Sequence, residues 1–133
     1  MPGYPFVPKS NRYLEAGQFW ALPLSDGRFG CGRVMTVPAF GAKDRVGFVA
    51  GLAGWIGSEP PTEDTIAGAP VLLQAKAHFE TISKTGGSVL GIRPLELDEL
   101  IAIDPFDYRV GAVHRVWGWQ TIVNKAELLA EDA

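Results

Sequence analysis

Few side chains in this sequence are equipped for chemistry. It has two histidines, His78 and His114, and one cysteine, Cys31. A metal centre draws three or four converging ligands from His, Cys and carboxylates. No His-x-x-x-His or Cys-x-x-Cys spacing occurs, so the histidines read as ordinary polar or partly buried side chains. A nucleophilic cysteine needs a base and a stabilised thiolate. Cys31 lies between Gly30 and Gly32 in a strand-like run and reads instead as a small core residue. The Gly-x-x-Gly spacings carry no Gly-Lys-Ser and make no phosphate loop. The grouped carboxylates are Glu63 with Asp64, and Glu96 with Asp98 and Glu99. General acid–base work needs two carboxyls in different environments across a cleft. Acids at helical starts have a simpler role in water, favouring the helix dipole, and they are available as an acidic binding face.

The tryptophans are Trp20, Trp55, Trp117 and Trp119. Trp117 and Trp119 alternate within a run that reads as strand, so they share a face and are either both core or both exposed. Exposed, they would anchor a protein partner. The candidate partner contacts are therefore Trp117, Trp119, Glu63, Asp64, Glu96, Asp98 and Glu99. No catalytic residue, metal ligand or cofactor is expected.

The element that organises these residues is the stretch from Gly17 to Val37. Two apolar runs flank Asp26-Gly27, a strong hairpin signal. Alternation puts Phe19 and Ala21 on one face and Trp20, Leu22 and Leu24 on the other. On the return strand Phe29, Cys31, Arg33 and Met35 oppose Gly30, Gly32, Val34 and Thr36. Glycines on one strand face mark a bulge, a sharp bend or the close approach of another backbone. The expectation is a strongly curved hairpin opening a small antiparallel sheet or SH3-like barrel, α+β and mainly β.

Around it, residues 1–16 form a proline-rich extended arm pinned by Tyr4 and Phe6. Pro38 to Asp44 is a loop, and Arg45 to Leu52 a third strand that Gly54 to Gly57 continues or leaves. Thr62 caps a short turn that Gly68 ends. Pro70 to Thr85 fits both a strand and a helical stripe; it is read as a strand to about Ala77, followed by a loose turn or a helical turn to Thr85, and Ser88 to Ile92 is another strand. Leu95 to Ile101 forms one helical turn. Tyr108 to Ala112 and Val113 to Val123 read as extended. The C-terminal helix is placed at 124–132, with Asn124 and Glu127 as a capping box.

Composition bounds the class. The 133 residues suit one domain, spanning 1–133, with 47% hydrophobic and 20% charged residues. A net charge of −3 argues against a nucleic-acid binder and suits a basic partner. A lone cysteine fits a reducing compartment. Neither a signal peptide nor a run long enough to span a membrane is evident, so a cytoplasmic location is expected.

From Gly17 the chain reads Gly-Gln-Phe-Trp-Ala-Leu-Pro-Leu-Ser-Asp-Gly-Arg-Phe-Gly-Cys-Gly-Arg-Val. This resembles the start of the Immunity protein 26 family of bacterial polymorphic-toxin systems. Its pattern is a Gly leading an aromatic-apolar strand, a Pro-apolar step, an Asp-Gly-type turn, a second aromatic and Gly-Arg-Val. Gly91-Ile-Arg-Pro-Leu95 stands for a later Gly-x-x-Pro-Leu. The chain departs from the pattern at Thr85-Gly-Gly-Ser88, where aromatic residues are expected, and nothing after Asp104 matches. The resemblance implies an antidote protein that binds a cognate toxin and occludes its active site without catalytic residues. Two other readings stay open. One is an SH3-like module that takes a peptide or small ligand in a groove of exposed aromatics. The other is a small hydrolase or nuclease, which needs His78 or His114 to meet an acid or Cys31 in a cleft.

Overall fold

Gly27 takes φ +89°, the left-handed backbone that a Cβ disfavours. Leu24 N–H then reaches the Arg28 carbonyl at 2.9 Å, and Gly27 N–H the Leu24 carbonyl at 3.1 Å. This turn joins β1 (Gln18–Pro23) to β2 (Phe29–Thr36) in antiparallel register. The computed structural model describes residues 3–39, 43–103 and 116–133. Chain order continues through β3 (Gly47–Gly57), β4 (Val71–His78), the short helix α1 (Glu80–Ser83) and β5 (Val89–Ile92). A 3-10 turn (Leu95–Asp98), β6 (Val116–Trp117) and helix α2 (Trp119–Glu131) complete it.

Among the described residues the strands form one six-stranded sheet in the order β5-β1-β2-β3-β4-β6. The α+β, mainly β class holds. The barrel alternative does not: β5 and β6 lie at opposite edges and do not pair, and β6 runs parallel to β4, so the sheet is open and mixed. Register shifts interrupt β1 at Phe19/Trp20 and β2 at Gly30/Gly32 and Val34/Thr36. The arm adds to the edge, where Phe6 and Val89 exchange backbone hydrogen bonds of 3.1 and 2.8 Å. Tyr4 does pin it, its hydroxyl accepting from Gln18 Nε2 at 3.2 Å.

What would be the inside of a barrel is filled by α2. Trp20, Leu22, Val34, Phe48, Ala50 and Leu52 meet Ile122, Ala126 and Ala130 there. The two glycines of β2 make this contact possible. A Cβ on Gly30 would stand 3.2 Å from that of Ala126, and one on Gly32 would clash with the indole ring of Trp20 at 2.4 Å. Trp20 is fully buried, meets Phe48 edge-on at 5.9 Å, and donates from Nε1 to Thr85 Oγ1 at 3.0 Å. On the other face, Phe19, Cys31, Ala53 and Ile66 form one cluster, and Met35, Val49 and Leu95 another. Ile66 and Leu95 belong to the turns that cover this face.

The C-terminal helix starts earlier than the sequence pattern suggests. Its N-cap is Gly118, not Asn124. Glu127 does not close a capping box; it accepts from Ser25 N–H at 3.0 Å and from Ser25 Oγ at 2.6 Å. Thr121, Ile122 and Val123 are β-branched and read as strand, but Ile122, Ala126 and Ala130 recur every four residues and bury one stripe. Burial of that stripe outweighs the small helix penalty of β-branching. Arg28 caps the far end, its Nη2 donating to the Ala130 carbonyl at 3.0 Å. The Tyr108–Ala112 run, His114, and residues 40–42 of the Pro38–Asp44 loop lie outside the described residues.

Gly32→Ala is expected to lower stability by about 2–3 kcal/mol in urea unfolding, because the methyl must displace a buried indole. Gly27→Ala, which meets open space, is expected to lose only about 1 kcal/mol, from backbone strain alone.

Candidate functional site

The acidic residues sit on two turns laid over the sheet face opposite α2. Thr62 starts the first, as its sequence indicates: its Oγ1 accepts from Thr65 N–H and its carbonyl from Ile66 N–H, both at 3.2 Å. Ile66 plugs into the sheet with no exposed surface, which leaves Glu63 and Asp64 in solvent. Gly68 closes the turn with φ +79°. The second is the 3-10 turn, anchored by buried Leu95, with Glu96 and Glu99 exposed.

Asp98 and Arg93 lock the two turns together. Arg93 donates from Nε to Asp98 Oδ2 at 2.8 Å and from Nη2 to Oδ1 at 3.1 Å. The same Oδ1 accepts from Gly68 N–H at 2.9 Å. Bidentate charge-assisted bonds of this kind are strong and geometrically exacting. The Arg93 hydrogen bonds hold the Asp98 carboxyl down at about 2, against an ordinary 3.8. Arg93 is correspondingly raised, first by Asp98 and then by the charges of Glu63 and Asp64. Glu63, Asp64 and Asp98 are therefore grouped around one guanidinium, and Glu96 and Glu99 share the turn of Asp98. Among the described residues the guanidinium at the centre of this group, Arg93, is already committed to Asp98.

The tryptophan pair is not part of this face. Strand β6 ends at Trp117 and α2 begins at Trp119, so the two do not share a strand face. Trp117 is core, 6% exposed and 6.0 Å from Lys125 Nζ, while Trp119 is 39% exposed. The expectation that both are core or both exposed is thus corrected. Both flank α1, on the α2 side of the sheet.

Nor do the chemistry-bearing residues converge among the described residues. Cys31 has no exposed surface, and burial pushes its thiol up to about 12. His78 sits exposed at the end of β4 beside Gly47, whereas Cys31 lies level with the other half of β3. At ~3.3 Å per residue, roughly 20 Å of strand separates them. His114 lies outside the described residues. Among the described residues no three His, Cys, Asp or Glu side chains come together as metal ligands. Among them, too, no helix is long and apolar enough to cross a membrane.

Arg33 was not singled out by the sequence patterns. It lies on the covered face of β2, wholly buried, and its Nη2 donates to the carbonyls of Gly17 (3.2 Å) and Arg93 (2.6 Å). Its Nε and Nη1 have no partner among the described residues. Its signal was present in the alternation, which placed a charge between Cys31 and Met35 on one strand face. Comparison with family models, with curated proteins and with solved structures finds no match.

Two outcomes are expected. Because Asp98 is depressed, its stabilisation is complete above pH ~4 and is lost as pH falls towards 2; Asp98→Asn should flatten this part of the urea-unfolding pH profile and cost roughly 1–3 kcal/mol at pH 7. Cys31 should stay unreactive towards a thiol reagent in the native protein and react at once in urea.

Proposed function

We propose that this chain is an inhibitor of the immunity-protein kind, which binds a basic toxin and covers its active site. The observation that carries this reading is the clamped acidic face. Two turns bearing Glu63, Asp64, Glu96 and Glu99 are held on a rigid sheet by Arg93 and Asp98. Residues held this way lose little freedom on binding, and a single-sign face speeds encounter with a partner of opposite charge. The resemblance of Gly17–Val34 and Gly91–Leu95 to the Immunity protein 26 family supports the same role. The reading takes the sheet as strongly curled at its register shifts, so that its covered face presents turns rather than a cleft. It also places the protein in the cytoplasm, where a toxin's own producer needs protection.

The test is a titration of the purified chain with the protein encoded by the neighbouring gene, followed by biosensor kinetics. A complex at micromolar concentration is expected, with an association rate that falls steeply with salt. Replacing Glu63, Asp64, Glu96 and Glu99 by lysine should slow association by about tenfold or more. No complex at micromolar concentration, or one indifferent to the four substitutions, would overturn the proposal.

A further inference from the structure

At the Gln18 end of the sheet, the N-terminal arm and the turn at Tyr13 surround a hollow of about 210 Å³. Phe6, Val7, Pro8, Lys9, Ser10 and Tyr13 line it, and the lining is mostly apolar. Phe6 packs against the core cluster that holds Leu14 and the buried stripe of α2. The walls are fixed by Gln18, which is wholly buried. Its Nε2 donates to the Tyr4 hydroxyl at 3.2 Å and to the Tyr13 carbonyl at 3.0 Å, while its Oε1 accepts from Glu15 N–H at 2.9 Å. One side chain ties the arm to the turn.

Two features here face outward. The first is backbone. Phe6 exchanges both of its backbone hydrogen bonds with Val89, so the N–H and C=O of Val7 point away from the sheet. Among the described residues neither has a backbone partner, and Val7 is 57% exposed. The arm leaves an open strand edge. The second is charge. Lys9 lines the hollow, and the Arg12 guanidinium stands 5.2 Å from the centre of the Tyr13 ring. Asn11 brings Arg45 alongside: its N–H donates to the Arg45 carbonyl at 2.9 Å, and its Nδ2 to the carbonyls of Asp44 at 3.0 Å and Gly47 at 2.8 Å. Arg12, Tyr13 and Arg45 line a second hollow of about 650 Å³ that shares Tyr13 with the first. Among the described residues Lys9, Arg12 and Arg45 have no ion-pair partner. Glu15 and Asp44 are the carboxylates in the described lining, and Asp44 is paired with Lys76 at 3.9 Å. On a chain of net charge −3, this end holds three unpaired cations against Glu15.

We propose that this end of the molecule is a docking site for an extended acidic segment of a partner protein that carries apolar residues between its acids. The segment adds to the arm as a further strand at Val7, a recurring mode of peptide recognition. It places an apolar side chain against Phe6, Pro8 and Tyr13, and sets its carboxylates among Lys9, Arg12 and Arg45. The cations select acids, and the apolar hollow beside a free backbone edge favours a peptide over a nucleic acid, whose contacts go mainly to phosphates. The site is separate from the acidic turns, so it and the basic partner proposed above stand or fall independently.

The test follows amide NMR signals of the full chain during titration with the peptide acetyl-Asp-Glu-Val-Phe-Asp-Glu-amide. Controls are the same peptide with Asn and Gln for its acids, the same peptide with Ala for Val and Phe, and an oligothymidylate. The acidic peptide should shift the Val7, Lys9 and Tyr13 amides, saturating with Kd on the order of 1 mM and weakening as salt rises. Both altered peptides should bind roughly threefold or more weakly. Lys9→Gln, Arg12→Gln and Arg45→Gln should each weaken binding roughly twofold to fivefold, and Glu15→Gln should strengthen it. Val7→Pro, which removes the outward donor, should weaken it roughly twofold to tenfold. Lys9, Arg12, Glu15 and Arg45 are exposed, so those variants stay folded even if Val7→Pro disturbs the arm. No shift at these amides with millimolar acidic peptide, equal binding of the neutral peptide, or tighter binding of the oligothymidylate would overturn the assignment.

Discussion

The structure depends on one close contact, the Trp20 indole lying where Gly32 has no side chain. A strand at the middle of a sheet normally presents a Cβ to whatever covers it. Here the ring occupies that space, and Gly30 next to it admits Ala126 of α2. The helix therefore settles onto the sheet, fills the concavity a barrel would have closed around, and leaves β5 and β6 as separate edges. The indole also reaches outward. Its Nε1 donates to Thr85 Oγ1, and Thr85 Oγ1 donates in turn to the Thr81 carbonyl at 2.7 Å. The position of α1, and with it Thr81 and Lys84, follows from the same ring.

The opposite face is organised by charge rather than by shape. Arg33 is buried with no carboxylate of its own among the described residues, an arrangement that opposes folding, and burial lowers its affinity for a proton. Its neighbours moderate this cost. Two backbone carbonyls take Nη2, and Asp98, bound to Arg93, is near enough to favour the charged form. The Arg93 carbonyl thus serves the buried guanidinium while its side chain serves the Asp98 carboxylate. One residue couples the core of the covered face to the acidic turns above it. Ile66 and Leu95 add apolar anchors on either side.

Much of this was legible in the chain, and the failures are informative. The hairpin followed from Asp26-Gly27, the faces of β1 and β2 from alternation, and the 62–68 turn from Thr62 and Gly68. In the segment from Pro70 to Thr85, the strand expected up to about Ala77 forms as β4, and of the loose or helical turn expected after it the helical one forms. The two β2 glycines read as a bulge, a bend or the close approach of another backbone in a hairpin that opens a barrel; a register shift does fall at Gly30/Gly32, but what approaches is the Trp20 indole and the Ala126 side chain, because nothing local says that a distant helix will occupy the space. The start of α2 was misplaced because Thr121, Ile122 and Val123 favour strand locally, while the stripe that overrides them is rewarded only by tertiary burial. That error also paired Trp117 with Trp119. The Arg93–Asp98 clamp joins Gly68 to residues thirty positions away, a contact that no local pattern announces.

The contact between Trp20 and Gly32 is open to a direct energetic measurement, a double-mutant cycle by urea unfolding. If the indole is what excludes a side chain from position 32, then in a Trp20→Phe background the penalty of Gly32→Ala shrinks to under about 1 kcal/mol, with a coupling energy of about 1–3 kcal/mol. If the alanine costs as much beside phenylalanine as beside tryptophan, the ring does not set the geometry of the sheet and helix, and the account is contradicted.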